Sequence, residues 1–119
     1  MLLALDNDKL WAKACFEYTD LGTNSVVTVM TNERSDDANG INVDGNEIWL
    51  QMSRKDDLFA IHYSHDGNEY MMARLCHLTM QKKIKVGLEA QSPRGNGGIR
   101  KFSNVSLELR GPVDIRNGK

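Results

Sequence analysis

Leu10-Trp11-Ala12-Lys13-Ala14-Cys15-Phe16-Glu17-Tyr18 alternates with a period of two, the mark of a strand whose two faces meet different surroundings. Ala12, Ala14, Phe16 and Tyr18 form one row, and Trp11, Lys13, Cys15 and Glu17 form the other. A helix would need its apolar residues three and four apart, and no part of the chain sustains that spacing. Outward from this stretch the alternation recurs at about 2–5, 24–32, 46–54, 57–64, 69–75, 83–92 and 99–109.

Between these stretches lie turn signals. Asp44-Gly45-Asn46-Glu47 and Asp66-Gly67-Asn68-Glu69 repeat one string, and its glycine accepts the positive φ of a tight turn. Neither copy has the alternating oxygen ligands of a calcium loop, so both read as turns. The polar stretch 33–44 reads as the longest connection, and Ser92-Pro93-Arg94-Gly95-Asn96-Gly97-Gly98 as a loose loop. Eight short strands without helices predict an all-β fold, an antiparallel β-sandwich spanning 1–110, followed by a flexible tail at 111–119. Consistent parity places Phe16, Ile48, Leu50, Phe59, Ile61, Val86, Leu88, Phe102 and Leu107 in its core.

Composition narrows the function classes. The chain has 119 residues, 40% hydrophobic and 26% charged, enough for a single core. With a net charge of −1, and the densest basic cluster, Gln81-Lys82-Lys83-Ile84-Lys85, reading as a turn entering a strand, neither nucleic-acid nor membrane binding is expected. No apolar run approaches the roughly 20 residues of a membrane span, and Met1-Leu2-Leu3-Ala4-Leu5 lacks the basic start of a signal peptide. Cys15 and Cys76 suit neither a disulfide framework nor a zinc site, and read as reduced thiols of a cytoplasmic protein. His62, His65 and His77 are too scattered for a metal centre, and no cofactor is implied.

The outward rows carry the chemistry. Trp11, Lys13 and Glu17 stand on one strand, Trp49 and Gln51 on another, and Glu89 and Gln91 on a third. Flat aromatics beside carboxylates and amides suit a sugar ring, whose C–H face takes an apolar platform and whose hydroxyls take polar partners. These seven residues are the candidate ligand site, expected to share one concave sheet face. The competing reading packs Trp11 and Trp49 under another strand, a loop or a second subunit.

Six segments in order resemble a known family: Leu10–Tyr18, Ser25–Asn32, Ile48–Arg54, Tyr63–Gly67, Arg74–Leu78 and Val86–Pro93. They are similar to the domain-of-unknown-function family 1349, also called the regulation-of-enolase family. The resemblance runs from residue 2 to about residue 109. It implies a concanavalin A-like lectin/glucanase fold, a jelly-roll sandwich, and no defined activity. It departs in the polar loop after Thr31-Asn32, where the family is aromatic-rich, and in Cys15 or its neighbour, where the family has glycine. The resemblance also implies several dozen residues ahead of Met1. A sandwich without its opening strands leaves an unpaired edge. The chain is therefore expected either to form a homo-oligomer or to be completed by a missing N-terminal segment.

Catalysis finds little support. The Glu-x-Asp-x-x-Glu pattern of sandwich glucanases is absent. Glu17 and Glu89 could face each other only from neighbouring strands, where Lys13 and Lys85 would pair with them. A non-catalytic domain that binds carbohydrate or a small polyol is the leading expectation. A protein-interaction or regulatory module is the alternative, and a glycoside hydrolase the third.

Overall fold

The computed structural model describes residues 1–119 and contains eight strands and no helix. In chain order they are β1 (Leu2–Asn7), β2 (Leu10–Tyr18), β3 (Asn24–Asn32), β4 (Arg34–Asn42), β5 (Trp49–Lys55), β6 (Leu58–Ser64), β7 (Met71–His77) and β8 (Lys85–Leu88). Two antiparallel sheets result, one of five strands ordered β4-β3-β2-β1-β8 and one of three ordered β5-β6-β7. The fold is all-β, and the two sheets stack as a β-sandwich.

The core follows from parity. Ala4, Ala12, Ala14 and Met30 point inward from the large sheet and meet Phe59 and Ile61 of the small one, closed by Leu78 and Met80. Small residues on one sheet let the larger side chains of the other approach, so the layers interlock. A second cluster of Val26, Val43 and Tyr63 gathers Phe16, Ile41 and Ile48 around it. Arg74 of β7 ties the layers at one side, donating to Thr28 Oγ1 at 3.3 Å, the Asp36 carbonyl at 3.1 Å and the Asp36 carboxylate at 3.1 Å.

Several expectations are corrected. Residues 34–42 are not a connection but the edge strand β4, exposed along nearly its whole length. An edge strand that nothing covers can be polar on both faces, so alternation does not mark it. The expected strand at 99–109 does not form, and the one at 83–92 shrinks to Lys85–Leu88. Phe102 and Leu107, assigned to the core, are exposed, and so is Tyr18. Val86 and Leu88 do sit on the inward row, opposite Ala4 and Leu2. They stay 51% and 42% exposed at the edge of the large sheet, where β8 has only β1 as a neighbour.

The outward row of β6 departs from its parity in the other direction. Ala60, His62 and Ser64 are completely buried on a face that should meet solvent. Residues 111–119 lie against this face. The Arg116 carbonyl is 2.8 Å from His62 Nε2, Gln51 Nε2 donates to the Gly118 carbonyl at 2.8 Å, and Lys55 Nζ donates to the Val113 carbonyl at 3.1 Å. Ile115 is buried in the same contact.

Candidate functional site

The outer face of the large sheet holds a recess across β1, β2 and β8. Its floor is Leu3 and Leu5, which alternation turns away from the core when Ala4 turns inward. Register sets Leu5 opposite Trp11 and Leu3 opposite Lys13, so the indole and the lysine stem form one wall. Across the floor Leu3 pairs with Gly87, where an added Cβ would meet nothing within 4 Å. The recess has a volume of about 210 Å³, below the roughly 300–1,000 Å³ of a drug-sized pocket and suited to one small ring.

Polar groups rim this apolar floor. Asp8, in the turn between β1 and β2, closes one end. Glu89 and Gln91 close the other, and the Gln91 amide donates to the Glu89 carboxylate. The backbone holds that end in place, since Glu89 N–H donates to the Met1 carbonyl at 3.1 Å. Lys13 Nζ lies 5.1 Å from the centroid of the Trp11 ring, a cation–π contact that occupies one face of the indole. A ligand stacking there must displace the ammonium or use what it leaves free. Beyond Lys13 in the same row, Cys15 is buried, and loss of hydration pushes its thiol up to about 11.

Of the seven expected site residues, Trp11, Lys13, Glu89 and Gln91 come together here. Glu17 stands in the same row of β2 but further along, exposed and opposite Ser25. With β1 between β2 and β8, Glu17 and Glu89 are not on neighbouring strands and do not form a facing pair. Trp49 and Gln51 project from the small sheet, since their neighbours Leu50 and Met52 point into the core. The two outward faces of a sandwich point in opposite directions, so the expected shared patch is divided. Trp49 packs over Gly67 in the turn after β6, and Gln51 is taken up by Gly118 and Ser53.

Leu3, Leu5 and Asp8 line the recess and were not among the expected residues. The parity of Leu2-Leu3-Ala4-Leu5 carried the signal, but a run that is apolar on both faces hides which face is outward.

Comparison with known proteins places no activity on this geometry. A family model described as "Protein of unknown function (DUF1349)" matches residues 1–109. Among solved structures, a functionally unknown protein from Saccharomyces cerevisiae superposes with a TM-score of 0.66 at 26% identity. The match covers 73% of this chain and 47% of that one, so the chain spans about half the length of that relative. No curated protein matches the sequence.

Proposed function

For a chain that belongs to the DUF1349 family, which supplies no activity, we propose a non-catalytic binding domain that takes one ring of a carbohydrate or small polyol on the outer face of the large sheet. The carrying observation is the recess itself: an apolar floor of Leu3 and Leu5, an indole wall, and carboxylate, amide and ammonium groups at the rim. Such a site offers a dry surface to a C–H face and both donors and acceptors to hydroxyls. Asp8 and Glu89 accept, Lys13 donates, and Gln91 does both. A concanavalin A-like architecture, which the family resemblance implies, fits this role but does not define it.

Calorimetric titration with a panel of monosaccharides, disaccharides and polyols tests the reading. Saturable binding is expected, abolished by Trp11→Ala, weakened by Gly87→Val, which adds a side chain beside Leu3, and untouched by Trp49→Phe on the opposite face. Binding that survives both recess substitutions would place the site elsewhere, and an inert panel would remove the ligand class.

A further inference from the structure

The two edges of the large sheet are built differently. β4 exposes Arg34, Asp36, Asp37 and Asn39 along its length, the charged edge that discourages further pairing. β8 is hydrogen-bonded to β1 alone, and its inward row, Val86 and Leu88, is half exposed. A free edge with an uncovered apolar row accepts one more strand.

The same chain carries an unused strand. Ala90 through Val113 make no backbone–backbone hydrogen bond. Within that span Val105, Leu107 and Leu109 alternate with Ser106 and Glu108, and the three apolar residues are 63%, 69% and 100% exposed. Antiparallel pairing with β8 gives a complementary register: Val86 opposite Leu107, Leu88 opposite Val105, Gly87 opposite Ser106, and Lys85 opposite Glu108. Both apolar pairs fall on the uncovered row and the charge pair on the other face, the arrangement that stabilises cross-strand neighbours.

Within one copy the connection leads away from that edge. Arg94 bonds to Asp20 at 2.9 Å, so the loop after β8 runs inward over the end of the sheet to the β2–β3 turn. At its far end Gly111 lies against the Arg54 carbonyl of β5, in the other layer. We propose that a second copy of this chain completes the edge, residues 105–109 of each copy adding as a strand to β8 of its partner. The two contacts are equivalent, so the assembly closes as a two-fold dimer.

Size-exclusion chromatography with light scattering tests this at micromolar concentration, alongside amide hydrogen exchange. A particle of twice the 13.4 kDa chain mass is expected, with amides of 105–109 protected. Leu107→Glu, at a position exposed in the single copy, should weaken the dimer more than about tenfold while circular dichroism stays unchanged. Lys85→Glu and Glu108→Lys should each weaken it, and the two together should restore it. A monomer with protected 105–109 would show that the segment folds back on its own β8. A monomer without protection, or a dimer indifferent to Leu107→Glu and to the charge swap, would equally overturn the proposal.

Discussion

The indole of Trp49 rests on the bare backbone of Gly67, so closely that a Cβ there would sit 2.6 Å from Cε2. Gly67 also holds a φ of 78°, a conformation L-residues rarely adopt. Ser64 fixes the turn, its hydroxyl oxygen accepting the Gly67 N–H at 2.9 Å. One small residue thus sets both the turn after β6 and the seat of the second tryptophan.

Gly67→Ala should therefore lower stability by about 1–3 kcal/mol, through positive-φ strain and displacement of Trp49. Urea denaturation measures the loss. The comparison Gly45→Ala, at a φ of 111° but with nothing within 4 Å, isolates the strain from the clash.

Phe59 and Leu88 were assigned alike from sequence and should now behave differently. Phe59 is 1% exposed at the layer interface, and Phe59→Ala should cost about 3–5 kcal/mol. Leu88 keeps 42% of its surface exposed, and Leu88→Ala should cost the single copy only about 1 kcal/mol. Equal losses in denaturation at dilutions where the chain is monomeric would contradict the packing described.

Asp66 Oδ1 accepts the N–H groups of Asn68 and Glu69 and the Ser64 hydroxyl, and these bonds hold its carboxyl at about 2, below its ordinary 3.8. A depressed carboxyl stabilises the fold above its unfolded value, and the contribution disappears as pH falls through the folded one. Stability should decline between pH 3.8 and about 2 in part through this turn. Asp66→Asn keeps an acceptor oxygen but cannot titrate, so its stability–pH curve should be flatter over that interval.

Burial makes Cys15 inert in the folded protein. With its thiol at about 11, little thiolate exists near pH 8, and 1% exposure blocks reagents. Burial also raises the Cys76 thiol, which is only partly covered. Alkylation at pH 8 should modify Cys76 first and reach Cys15 only at the rate of unfolding.

Removal of residues 112–119 should uncover His62, whose Nδ1 has no partner and whose Nε2 meets the Arg116 carbonyl. Losing that cover and the buried Ile115 should lower the melting temperature by several degrees, at about 1–3 kcal/mol for the isoleucine alone. Scanning calorimetry of the shortened chain reads this directly. An unchanged transition would mean the segment adds nothing in solution.

The sequence by itself determined what period-two alternation can carry: that the chain is stranded, where seven of the strands lie or begin, and which way Ala12, Ala14, Leu50, Met52, Phe59 and Ile61 face. It did so because side-chain direction in a strand is a local property. Only the tertiary structure decided which sheet each strand joins, and that divided Trp11 from Trp49, because "outward" names opposite directions in stacked layers. It decided that 34–42 pairs as an edge, since β3 beside it supplies the ladder and solvent imposes no pattern on its side chains. It decided that Val86 and Leu88 lie uncovered while His62 is enclosed, because burial depends on what another part of the chain lays over a face. Trp11 and Lys13 were legible as an outward row; that they wall a recess floored by Leu3 and Leu5 followed only once β1 lay beside β2.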